Sequence, residues 1–223
     1  MLLAVDTSTD WIGIALHDGV RVIGETVWRT QNAHSVELAP GVQALLERCH
    51  VQPREISLLG VALGPGSYTS LRIGLAFVKG FALTWHLPVL GEPSLDVLAA
   101  AQPVAEQPLV AVLQAGRSRL AAQWYQASDG TWRAEGAPEL LTAQELSRRI
   151  EHPTLVCGEL GETERRLLQR KRKNCILASP AQGLRRPSFL AELAWGRYRA
   201  GEQDDMASLA PIYLRTPGVE AIA

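Results

Sequence analysis

The chain repeats itself once. Residues 2–18, LLAVDTSTDWIGIALHD, match residues 109–125, LVAVLQAGRSRLAAQWY, in plan: an apolar strand, a polar turn, a returning strand. Each copy then runs to a Gly-containing hairpin turn, Asp18-Gly19 or Asp129-Gly130, and a third β-rich strand follows. Repetition of this length in 223 residues points to two similar lobes rather than a solenoid.

After the first three strands the pattern changes period. Leu38, Val42, Leu45 and Cys49 fall on one face of a helix that Ser35 can cap and that Pro40 should kink. ISLLGVALG (56–64) is a nearly all-apolar run of the doubly covered, parallel kind. A helix, the short strand LPVLG (87–91) and a helix capped by Ser94 follow. Three antiparallel strands and then alternating helices and strands make a ribonuclease-H-like lobe. The polar, proline-bounded QPVAEQP (102–108) is the linker. The expectation is therefore an α/β protein of two ribonuclease-H-like lobes with the actin-like ATPase architecture, residues 1–103 and 104–223. In the second lobe Thr142 caps a helix, and PSFLAELAWGRYRAGE forms the last long one.

Composition narrows the partners. Charged residues make up 20% and the net charge is −1, so no global field draws the chain to nucleic acid or anionic membrane. No apolar run is long enough to span a bilayer, and the start lacks a basic, cleavable leader. Cys49, Cys157 and Cys175 stand far apart with no C-x-x-C pair, which suits a reducing cytoplasm and no structural zinc.

Two motifs invite a nucleotide. Asp6-Thr7-Ser8-Thr9 occupies the turn that wraps phosphate in kinases and ATPases of this architecture, with Asp6 placed to help hold a metal. Its counterpart in the second lobe ends on Gln114, which is neutral, and this argues against ATP hydrolysis by the chain alone. GPGSYTSLRIGLAFVKG (64–80) opens like a phosphate loop. It lacks the P-loop lysine and the glycine of a nucleophile elbow, and Ser67 has no evident base. The helix behind it has two apolar stripes: Leu71, Leu75 and Val78, and Ile73, Phe77 and Phe81. One face covers the sheet, and the other calls for a neighbouring helix or a partner. Ala76 and Gly80 would let a backbone come close, and Arg72 and Lys79 could meet carboxylates there. Position 38, four after His34, is leucine, so no helical histidine pair grips a metal. The basic run Arg165, Arg166, Arg170, Lys171, Arg172 and Lys173 has no interleaved aromatics and reads as a solvated face.

LLAVDTST, HSVELAP, GVALGPGSYTSLRIGLAFVKGFA, GEPSLDVLA and PIYLR together resemble the TsaB (YeaZ) family. The resemblance implies a noncatalytic partner of a TsaD-like transferase. With that subunit and a TsaE-like ATPase it would place threonylcarbamoyl on N6 of adenosine 37 in tRNAs that read ANN codons. It implies docking through first-lobe helices, at Ser35, Leu38 and Val42 on one and Leu71, Arg72, Gly74, Leu75, Val78 and Lys79 on the other, with self-pairing through the same surface. It implies no catalytic or metal residue in this chain and no cofactor held by it alone. ADP or ATP would sit at the complex interface, and tRNA would be reached indirectly. Ser70 departs from the glycine usual in the family, and Gln114 from its frequent aspartate. The rival reading is a small-substrate phosphotransferase of the same fold, using Asp6.

Overall fold

The computed structural model describes residues 1–214 except Arg117 and Arg172. Arg172 of the basic run and Arg215 of PIYLR thus lie outside the described residues.

Strands β1 (Leu2–Asp6), β2 (Trp11–His17) and β3 (Val22–Arg29) form an antiparallel meander. Helix α1 (His34–Arg48) leads to β4 (Leu58–Gly64), α2 (Tyr68–Trp85) to β5 (Val89–Pro93), and α3 (Ser94–Ala100) follows. β4 and β5 add in parallel, giving the sheet order β3-β2-β1-β4-β5. α1 begins on His34, with Ala33 rather than Ser35 at its N-cap, because Thr30 Oγ1 takes the Ala33 amide. The helix runs on through Pro40, which faces outward.

The strands alternate between two cores, as a period of two requires. Leu3, Val5, Ile12 and Ile14 face α1 and α2 and pack with Leu38, Val42, Leu45, Leu75 and Val78. Leu2, Ala4, Ala15 and Leu58 face the opposite way and need their own cover. That cover is α6 (Pro187–Arg199), whose Leu190, Ala191 and Ala194 are fully buried. The boundary at residue 103/104 is therefore corrected. One unit comprises Met1–Val97 with Arg185–Ile212, and Leu98–Leu184 lies in the other. The apolar second face of the first sheet cannot stay wet, and α3 adds only Val97 to its cover before α6 returns.

The second unit repeats the plan. β6 (Leu109–Gln114), β7 (Leu120–Ser128) and β8 (Thr131–Leu141) are antiparallel; β9 (Thr154–Gly158) and β10 (Cys175–Leu177) add in parallel, in the order β10-β9-β6-β7-β8. α4 (Ala143–Arg149) starts from the expected Thr142, whose side chain accepts from the Glu145 amide while Glu145 takes the Thr142 amide. α5 (Glu162–Gln169) packs beside it. Cys49, Cys157 and Cys175 are free thiols, and burial pushes Cys157 up to about 12.

Candidate functional site

The turn after β1 is sealed from within. Asp6, Thr7, Ser8 and Thr9 are each at most 6% exposed. Arg185, on the segment that leads into α6, donates from Nε to Asp6 Oδ2 at 2.8 Å and from a terminal nitrogen to Thr9 Oγ1 at 2.9 Å. The other carboxylate oxygen of Asp6 accepts from the Ser8 amide at 2.8 Å. Thr7 Oγ1 donates to the Ser70 carbonyl at 2.7 Å, and the Ser8 and Ser94 hydroxyls hydrogen-bond to each other at 2.6 Å. This corrects the phosphate-turn reading of Asp6, Thr7 and Ser8. The side chains of Asp6, Thr7, Ser8 and Thr9 are engaged inside the fold, and a guanidinium pairs with the carboxylate that would steady a metal.

The glycine turn fits onto this plug. The Ser67 amide donates to the Ser8 carbonyl at 2.7 Å, and the Gly64 amide donates to Ser94 Oγ at 3.0 Å. A β-carbon at Gly66 would stand 2.0 Å from the Ser8 carbonyl oxygen, and one at Gly74 would stand 2.2 Å from Thr7 Oγ1. Both glycines are there because another backbone or hydroxyl needs the space. Ser67 sits at the N-cap of α2. Its hydroxyl accepts from Ser70 at 3.0 Å, and Ser70 Oγ is 3.4 Å from His34 Nδ1. His34 Nε2 lies 2.8 Å from the Thr9 carbonyl. The His34 imidazole is thus tied to the turn and not to Ser67, while Ser70, the departure from glycine, pins the start of α2 to the start of α1.

α2 sorts its residues by face. Ser70, Leu71, Gly74, Leu75, Val78 and Ala82 are buried toward the sheet. Leu38 and Val42 are 2% and 3% exposed on α1. So Leu38, Val42, Leu71, Gly74, Leu75 and Val78, expected at a partner interface, are core residues of the folded chain. Lys79 is also corrected: its Nζ donates to the Leu209 carbonyl at 2.8 Å and holds the chain after α6 against α2. Ser35 and Arg72 do lie outside, with the Arg72 guanidinium 3.9 Å above the Tyr68 ring. The outward surface is continued by Val36 (71% exposed), Tyr68 (55%) and Leu83 (62%). Ala39, Pro40, Ala76 and Gly80 are exposed between them. Nothing lies within 4 Å of where a Gly80 β-carbon would be.

A second charged cluster escaped sequence reading. Arg197 of α6 meets Glu92 Oε1 at 3.1 Å and Asp204 Oδ1 at 2.8 Å, and it also pairs with Glu202. Glu92 is 5% exposed, and burial raises its carboxyl to about 7 despite Arg197, with Asp96 and Asp204 adding repulsion. Arg185 and Arg197 both lie in the segment that the 103/104 boundary assigned to the second lobe, so no local pattern pairs them with β1 or β5. Among the described residues, no three His, Cys, Asp or Glu side chains gather as a metal group, and no helix is long and apolar enough to cross a membrane.

Two five-stranded sheets of one order, each opening on the same strand-turn-strand unit, define a two-lobe α/β protein of the actin-like architecture. A ROK hexokinase from Thermus thermophilus shares it at a TM-score of 0.50 and 11% identity, covering 89% of this chain and 99% of that one. The family model "TsaD: tRNA N6-adenosine threonylcarbamoyltransferase" matches residues 27–220. The "tRNA threonylcarbamoyladenosine biosynthesis protein TsaB" of Bacillus subtilis is 31% identical over 99% of this chain and 96% of its own length. YeaZ from Pseudomonas aeruginosa superposes with a TM-score of 0.77 at 25% identity, over 96% of this chain and 99% of that one. The chain belongs to the TsaB (YeaZ) family.

Proposed function

We propose that this chain is a noncatalytic subunit in tRNA threonylcarbamoyladenosine biosynthesis, docking a TsaD-type transferase through the outer face of α1 and α2. The transferase places threonylcarbamoyl on N6 of adenosine 37 in tRNAs that read ANN codons; a TsaE-like ATPase joins the assembly in the cytoplasm. The observation that carries the reading is the outer face itself. Val36, Ala39 and Pro40 on α1, with Tyr68, Ala76 and Leu83 on α2, expose apolar surface on helices whose other sides are already buried. An exposed glycine in a helix interior costs about 1 kcal/mol relative to alanine. Gly80 has open space around it in this chain, so its value lies in letting a second helix approach. The same face would pair two copies of the chain when the transferase is absent.

Catalysis belongs to the partner in this reading. The rival phosphotransferase needs the Asp6 carboxylate, which Arg185 holds at 2.8 Å. ADP or ATP then belongs at the interface with the partner, not in the first unit's own turn. Reconstitution tests the proposal: a TsaD-type subunit with its ATPase, threonylcarbamoyl donor and tRNA transcript should transfer the group when this chain is added. Full activity without the chain would remove the proposed role. ATP turnover by the isolated chain that disappears in Asp6→Asn would revive the rival.

A further inference from the structure

The described ends of α4 and α5 carry more positive charge than the fold pairs. Residues 165–173 hold six basic side chains and no acidic one, in a chain whose net charge is −1. Three contacts bring this run beside the end of α4. Lys171 Nζ donates to the Ile150 carbonyl at 3.4 Å, the Asn174 side-chain amide donates to the Glu151 carbonyl, and the Thr154 amide donates to the Asn174 carbonyl at 2.7 Å. Arg148 and Arg149, in the last turn of α4, thereby join Arg170, Lys171 and Lys173 on one edge of the second unit. Arg149 is neutralised by Glu139, and Arg166 by Glu162. Arg148, Arg170 and Lys173 are exposed and form no ion pair among the described residues. Glu139, Glu145, Glu151 and Glu162 are acidic side chains of the same region.

We propose that this edge grips the phosphate backbone of RNA. The inference rests on the tRNA reading above and extends it, since it gives this chain a direct contact with the substrate of the complex. Like charges set together repel one another, so the cluster weakens the fold unless an anion meets it. Long, exposed arginine and lysine side chains without a carboxylate partner suit a polyanion that releases counterions on binding. No aromatic side chain is interleaved in the run, so the contact holds phosphates and does not read bases. A helix lying in a membrane interface would present an apolar face beside the cations. On α5, Glu162, Arg166 and Gln169 are exposed, as is Arg170 at its C-cap, while Leu168 is buried.

The test uses the complex of this chain with a TsaD-type subunit and an unmodified tRNA transcript bearing adenosine at position 37. The variant is R148Q/R170Q/K173Q. The control, R21Q/R54Q/R199Q, removes the same charge from exposed positions elsewhere. The edge variant should bind the transcript at least about tenfold more weakly and lower the log-affinity against log-salt slope by about two to three. Its circular dichroism and co-elution with the partner should be unchanged, and the control should bind as the wild type does. Equal affinity in wild type and edge variant overturns the proposal, as does an equal loss in the control. So does binding to phosphatidylserine vesicles that the edge variant loses while it keeps tRNA. If the wild-type complex transfers threonylcarbamoyl and the edge variant binds tRNA normally, only this inference fails. If no complex forms or no transfer depends on the chain, the proposed function fails first, and the tRNA titration of the chain alone still decides the edge.

Discussion

The two units share one sheet order but treat the turn after the first strand differently. In the first unit the strand ends on Asp6, and a buried arginine from residue 185 fills the turn. In the second the strand ends on Gln114, whose amide reaches the Glu159 carbonyl at 3.4 Å within its own unit. The outer helices differ as well. α1 and α2 leave an apolar, glycine-containing face, whereas α4 and α5 leave a basic one. A duplicated lobe can thus keep its sheet and treat the end of its first strand in two ways: a buried carboxylate paired with a guanidinium in one copy and a neutral amide in the other. What remains free to diverge is the helical surface, where each copy offers different chemistry to a partner.

The sharpest way to break this comparison is at the core face of α2. Val78 is fully buried, so Val78→Asp places an unpaired charge among Leu3, Val5 and Leu75. The expected loss is about 5 kcal/mol, comparable with the whole stability of a typical domain. Circular dichroism should show unfolding rather than a folded chain that merely fails to dock. Next comes the plug. Asp6→Ala strands the Arg185 guanidinium in a buried site and should cost about 3–5 kcal/mol in urea titration. Gln114→Ala in the other unit should cost less than about 1.5 kcal/mol, because a single long hydrogen bond is lost.

Glu92 gives a smaller, pH-dependent effect. Its folded-state carboxyl is raised from 4.5 to about 7, so the folded chain holds its proton more tightly than the unfolded one. That stability is present below pH 4.5 and is lost as pH rises through about 7, up to about 3 kcal/mol in all. Melting temperature should therefore fall between pH 5 and 8, and Glu92→Gln should flatten that fall. An unchanged pH profile in the variant would assign the dependence to other groups.

Much of the fold was legible because it rests on local chemistry. The apolar strand runs, the Asp-Gly hairpin turns, the Thr142 cap and the tight glycine turn at residues 64–67 each follow from a few neighbouring residues. The orientation of α2 was not legible. Leu71, Leu75 and Val78 form a stripe as apolar as Ile73, Phe77 and Phe81, and periodicity reveals stripes without saying which one meets the sheet. Leu71, Leu75 and Val78 are buried, while Ile73, Phe77 and Phe81 are partly buried and pack at the margin of the same core. The return of α6 to the first sheet was hidden for another reason: it depends on which apolar surface lacks cover, a property of the assembled lobe. Arg185 follows from that return, since no motif near residues 183–188 announces a partner 179 residues away.

The most direct measurement of the central claim is association with a purified TsaD-type subunit, comparing wild type with Gly80→Arg. Gly80 has nothing within 4 Å of its added β-carbon, so the arginine should leave the isolated chain's stability unchanged or slightly raised. The account predicts a melting temperature unchanged or slightly raised together with at least a hundredfold loss of affinity by calorimetry. Wild-type affinity in Gly80→Arg would contradict it, because the outer face of α1 and α2 would then not be where the partner docks.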